Sequence, residues 1–83
     1  MKIPKLKVLS QQQIGQLVSS LRQELGLTQE EFANSLGVVF STINRWENGR
    51  TYPSSMALKL IEAKLEEMGE RGQNLVKDLN KNE

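Results

Sequence analysis

From Ser10 onward the apolar residues Ile14, Leu17, Val18, Leu21 and Leu25 recur at helical spacing and predict one long amphipathic helix. Ser10 is a candidate N-cap, and Gly26 stands where a left-handed residue would end the helix. A shorter stripe, Phe32, Ala33 and Leu36, follows Thr28; with Glu31 three residues after Thr28, this is a capping-box signature, and Gly37 closes the helix. A third helix is predicted to begin near Phe40, with Ile43 and Trp46 facing the core together and Ser41, Thr42, Asn44 and Arg45 on its other faces. Asn48 and Gly49 stop it.

After a loop containing Tyr52 and Pro53, Ser54 can cap a helix running to about Met68, striped by Leu58, Ile61, Leu65 and Met68 and widened by Ala57 and Leu60. Gly69 and Gly72 then punctuate the chain, and Leu75, Val76 and Leu79 predict a last helical turn or two in a polar, fraying tail. At the other end, Lys2 to Leu9 alternates lysine with apolar residues around Pro4, a pattern of a short edge strand or, the favoured reading, a loose basic arm. The expected organisation is thus all-α, with a basic arm or strand over residues 1–9, a helical domain over 10–69 and a polar tail over 70–83.

Composition narrows the chemistry. Eighty-three residues suffice for one small domain, and the absence of cysteine and histidine excludes disulfides, the common zinc sites and histidine-based catalysis. Glu30-Glu31 and Glu66-Glu67 are adjacent on helices and diverge, so neither makes a carboxylate dyad, and no phosphate-cradling glycine loop is present. No enzyme activity, cofactor or metal is therefore expected. No apolar run approaches the roughly 20 residues that span a bilayer, and no secretory leader is visible, so no membrane partner and a cytoplasmic location are expected by default. The net charge of +1 says little about partners, but Lys2, Lys5, Lys7 and Arg22 make the first part of the chain basic.

The residues Leu25 to Glu31, Leu36-Gly37-Val38, Ser41-Thr42-Ile43, Arg45 to Arg50 and Pro53-Ser54, in this order, resemble the Cro/cI-type helix-turn-helix family, also called the Xre family. The likeness covers about residues 14 to 66 and extends to the DNA-binding half of some antitoxins. It implies a four- to five-helix Cro/cI-like (lambda repressor-like) domain that binds double-stranded DNA and regulates transcription, with a recognition helix over about residues 40–48. In such a unit the second helix enters the major groove and reads base edges from its N-terminal part.

By that resemblance Val39, Phe40, Ser41, Asn44 and Arg45 face bases. Arg45 suits guanine and Asn44 suits adenine, each good two-pronged pair contributing about 1 to 3 kcal/mol of discrimination. Thr28 and Gln29, at a helix N-terminus, together with Thr42, Asn48, Arg50 and Tyr52, are the expected phosphate contacts. Outside this motif the same polar residues would read as a solvated helix face and an ordinary turn. Arg22 and Glu47 match a family ion pair joining the first and third helices, a structural role; Trp46 reads as core. Two positions depart from the family pattern. Val39 stands where a capping Ser or Thr is common, at a cost of about 1 kcal/mol. Phe40 replaces a polar reader, and either touches thymine methyl groups, folds back onto the domain or meets a partner.

The resemblance implies a homodimer on DNA, because one recognition helix reads few bases. The apolar positions between Lys5 and Leu9 and the stripe of the long helix are the candidate dimer surfaces. The alternative is an antitoxin, or another module, that binds its own operator and also engages a toxin or other protein partner through its flanks.

Overall fold

Ser10 accepts the backbone N–H of Gln13 on its hydroxyl, while the Gln13 side chain accepts the Ser10 N–H, and this reciprocal box starts α1 (Gln11–Glu24). Thr28 and Glu31 repeat the arrangement at the start of α2 (Gln29–Leu36). Gly37 ends α2 with φ at +74°, a left-handed conformation that lets the chain turn sharply into α3 (Phe40–Glu47). Ser54 caps α4 (Ser55–Glu67) through the Ala57 N–H, and α5 (Glu70–Lys81) closes the chain. The computed structural model describes residues 5–81; among them no strand forms, and the architecture is all-α.

α1 runs through the middle. Its Ile14, Leu17, Val18 and Leu21 meet Phe32, Ala33 and Leu36 of α2, Ile43 and Trp46 of α3, and Ala57, Leu58, Ile61 and Leu65 of α4 in one buried cluster. α1 packs on α3 and α5, and α2 packs on α3, so the α2-turn-α3 unit stands on a base made by the other helices. Leu25 and Leu60, assigned to apolar stripes in the sequence, are instead exposed: α1 stops at Glu24, and Leu60 sits on the outer side of α4. No helix among the described residues is long and apolar enough to cross a membrane.

Both ends of the chain differ from the expected pattern. Residues 5–9 form neither a strand nor a loose arm, since Leu6–Val8 is a 3-10 helix whose Leu6 is wholly buried. Burying that leucine contributes about 1.5 to 3 kcal/mol. The turn is also tied down by polar contacts: Leu6 N–H donates to the Glu62 carboxylate at 2.9 Å, and the Tyr52 hydroxyl reaches the carbonyls of Leu6 and Leu9 at 3.2 and 3.1 Å. Alternation of lysine with leucine thus reflects one anchor in a tight turn. With Leu6 buried and Leu9 packed on the core, Val8 is the exposed apolar residue among the described residues of this segment. Lys2 lies outside the described residues.

α5 is longer than the anticipated turn or two because its few apolar residues, Leu75, Val76 and Leu79, fall on one side and land against the core. Gly72 does not punctuate the chain. It lies buried inside α5, where a Cβ would strike the carbonyl of Leu65, so its lack of a side chain permits α5 to touch α4. Arg71 adds an exposed link from α5 to Glu24 at the end of α1; pairs this exposed contribute little, about 0 to 1 kcal/mol.

Candidate nucleic-acid interface

The N-terminal amides of a helix lack intrahelical partners. At the start of α2 the capping box satisfies the N–H groups of Thr28 and Glu31, which leaves those of Gln29 and Glu30 at the helix mouth. A surface depression of about 550 Å³ opens there, lined by Arg22, Thr28, Gln29, Glu30 and Phe40. The helix dipole favours an anion at this point.

Arg22, on the last turn of α1, does not simply face that depression. Its Nε donates to Glu47 Oε2 at 2.7 Å, its Nη2 to Glu47 Oε1 at 3.1 Å and its Nη1 to the Leu27 carbonyl at 3.0 Å. The side chains of Arg22 and Glu47 are 16% and 9% exposed. The hydrogen bond from the arginine to Glu47 raises the arginine pKa above its ordinary value, against burial, which lowers it. The pair joins α1 to the last residue of α3.

Glu47 has a third donor. Gln29 Nε2 reaches Oε1 at 3.0 Å, and Gln29 Oε1 in turn accepts Asn44 Nδ2 at 3.3 Å. Asn48 Nδ2 then donates to both the carbonyl and the Oδ1 of Asn44, at 2.9 and 3.2 Å. Gln29, Asn44 and Asn48, read from the sequence as three separate contacts, are therefore one chain of side-chain amides beginning at a carboxylate. Asn44 is half-buried, with its amide nitrogen and its oxygen both engaged inside the protein. These bonds use one hydrogen of its NH2 group and one lone pair of its oxygen, and leave the other of each.

The rest of α3 has one exposed and one buried side. Ser41 and Arg45 are exposed, Thr42 is half-buried, and Ile43 and Trp46 lie in the core, Trp46 only 3% exposed. Val39 makes no side-chain capping bond. Val39 and Phe40 remain 65% and 49% exposed, so Phe40 does not fold back into the core; it stands at the rim of the depression beside α2.

In the loop after α3, Asn48 and Arg50 are exposed and the Gly49 carbonyl accepts Gln11 Nε2 at 2.7 Å. Tyr52 is 36% exposed, and its hydroxyl is turned to the carbonyls of the 3-10 turn, which makes it a brace between the loop and the N-terminal segment. Sequence patterns give no sign of Gln11, of Tyr52 as a brace, or of the amide chain. Gln13, also absent from the expected set, does carry a readable signal, three residues after a serine cap.

Two short helices joined by a glycine turn, the second presenting an exposed row while its apolar side is buried, define a helix-turn-helix protein. The chain matches the helix-turn-helix family over residues 18–67 and belongs to that family, in its Cro/cI (Xre) type. It is similar to the uncharacterized HTH-type transcriptional regulator YiaG of Escherichia coli, in strain K12 and equally in strains O6:H1 and O157:H7. Identity to each is 41% over 44 residues, covering 53% of this chain and 46% of the relative. The match thus spans less than half the length of these relatives. No solved structure matches the chain significantly.

Proposed function

We propose that this chain is a sequence-specific double-stranded DNA-binding transcriptional regulator that inserts α3 into the major groove. The observation that carries this reading is the exposed row Phe40, Ser41 and Arg45 on α3, standing beside the open amides at the mouth of α2. Arg45 has the fork geometry for guanine, and Val39 and Phe40 offer apolar surface to thymine methyl groups. Gln29 with the adjoining amides, Thr28, Thr42, Asn48 and Arg50 meet phosphates and set the register. Tyr52 contributes by holding the loop on the 3-10 turn. Lys5 and Lys7 flank Leu6, whose carbonyl the Tyr52 hydroxyl ties to this loop, and add positive charge on that segment.

One α3 reads too few base pairs to select a site, so the reading includes a homodimer on two half-sites. The exposed Met56 and Leu60 of α4 offer apolar surface for it. Selection of bound sequences from a randomised duplex library tests the proposal. The expected result is an enriched site with two related halves separated by about one turn of DNA, ~10 base pairs or a multiple of it. Recovery of unenriched sequence at low salt would overturn sequence-specific binding.

A further inference from the structure

Phe40, Asn44 and Glu47 follow one another at i, i+4 and i+7 and so share one side of α3. Gln29 bonds to both Asn44 and Glu47, which turns that side toward the start of α2. Phe40 therefore stands one turn ahead of Asn44, at the tip of α3, and lines the same depression as Thr28, Gln29 and Glu30. It is half-exposed there, and its neighbour Val39 is exposed as well.

Neither side chain carries a donor or an acceptor, so the hydrogen-bonding atoms of the base edges offer them nothing. The apolar group that the major groove displays is the C5-methyl of thymine. On a pyrimidine the C5 edge is the groove edge nearest its own strand's backbone. One nucleotide can accordingly set its methyl against Phe40 while an adjoining phosphate of the same strand meets the amides of Gln29 and Glu30. 5-Methylcytosine carries the same methyl on the same atom. It differs from thymine in an amino group, which an apolar contact does not sense.

We propose that Phe40, flanked by Val39, reads the C5-methyl of a pyrimidine, so that 5-methylcytosine can stand in for thymine at one position of each half-site. This rests on the DNA-binding reading above and adds to it that cytosine methylation at that position strengthens binding. Affinity then depends on a modification of the DNA as well as on its sequence. The expected effect of one methyl is roughly fourfold in affinity, equivalent to about 0.8 kcal/mol for one buried carbon group.

The test uses the site obtained by duplex selection. Deoxyuridine, which is thymine without its methyl, is placed at each thymine in turn to locate the position. Duplexes with thymine, deoxyuridine, cytosine or 5-methylcytosine at that position, each with its complementary purine, are then titrated with the wild-type chain and with Phe40→Ser. Thymine against deoxyuridine keeps adenine opposite, and 5-methylcytosine against cytosine keeps guanine opposite, so each comparison isolates the methyl. In the wild type both ratios are expected to be roughly fourfold, and in Phe40→Ser both are expected to fall to one.

Indifference to deoxyuridine at every thymine overturns the proposal. So does a methyl effect that survives Phe40→Ser, or one present with thymine and absent with 5-methylcytosine. A Phe40→Ser chain that binds every duplex as the wild type does also overturns it, and leaves Phe40 for a protein partner. Should Phe40→Ser bind too weakly to titrate, the wild-type complex decides: nuclear Overhauser effects between the thymine methyl and the Phe40 ring are expected, and their absence overturns the contact. A wild-type chain that retains no duplex in the selection overturns the DNA-binding reading itself, whereas one that selects a site and ignores the methyl overturns this proposal alone.

Discussion

Gly15 on α1 lies directly against the carbonyl of Trp46 on α3: a Cβ built at Gly15 would overlap that oxygen and come within 3.2 Å of the Glu47 carbonyl. The obstacle is backbone, so no side chain can swing aside, and α1 and α3 would have to separate. Overpacking of this kind typically costs about 1 to 3 kcal/mol. Gly15→Ala is therefore expected to lower stability by that amount in urea unfolding, even though alanine is the better helix former. A Gly15→Ala chain as stable as wild type would show that the helices are not held this close.

The same crossing carries the Arg22–Glu47 pair. Arg22→Met leaves the Glu47 carboxylate, 9% exposed, without its counter-charge, and breaking a pair this buried costs about 3 to 5 kcal/mol. Small domains have little stability to lose. Thermal unfolding followed by circular dichroism is expected to show a melting temperature far below wild type, whereas Arg71→Met, which breaks the exposed pair with Glu24, is expected to shift it hardly at all.

These two contrasts also mark how far the sequence carries. Caps, stripes and turn glycines act within a few residues of themselves, and so Ser10, Thr28, Gly37 and Ser54 announce four helix boundaries from local pattern alone. Val39 and Phe40 are legible as departures from the family pattern, although their exposure is not. Nothing that joins distant positions is legible in this way. Leu6 reads as one leucine in a basic run, and only the folded chain brings Glu62 and Tyr52 to hold its turn. Gly72 reads as punctuation, and only the packing of α5 on α4 puts Leu65 beneath it. Gln29 and Asn44, 15 positions apart, share a hydrogen bond that no local pattern encodes.

Tyr52→Phe removes one hydroxyl and keeps the ring. The lost donor served the Leu6 and Leu9 carbonyls, so global stability is expected to fall by about 0.5 to 1.5 kcal/mol. The effect should be local. Amide exchange at Leu6 and Leu9 is expected to quicken more than at Ile61 in the core; uniform quickening would mean that the brace is no more than general packing.

Arg45→Ala and Gln29→Ala are expected to weaken DNA binding in different ways. Arg45 is exposed on α3, so its loss should relax base choice at one position of each half-site, by about 1 to 3 kcal/mol of discrimination. Gln29 stands at the mouth of α2, and its loss should reduce affinity for all duplexes alike. A base-preference profile unchanged in Arg45→Ala would remove that residue from the reading surface.

Lys5 and Lys7 line a depression with Ser55, Leu58, Lys59 and Glu62, held next to the loop after α3 by the Tyr52 bonds. A folded turn presents these lysines at a fixed place, unlike an arm that could reach several phosphates. Each phosphate neutralised on duplex DNA contributes a slope of about −0.9 to the logarithm of affinity against the logarithm of salt. If both lysines meet phosphates, Lys5→Gln with Lys7→Gln is expected to make that slope shallower by about 1.8 while leaving the selected sequence unchanged. Titrations of one duplex at several salt concentrations measure it directly. A slope identical to wild type would place the 3-10 turn off the DNA and confine the phosphate contacts to α2, α3 and the loop at Asn48 and Arg50.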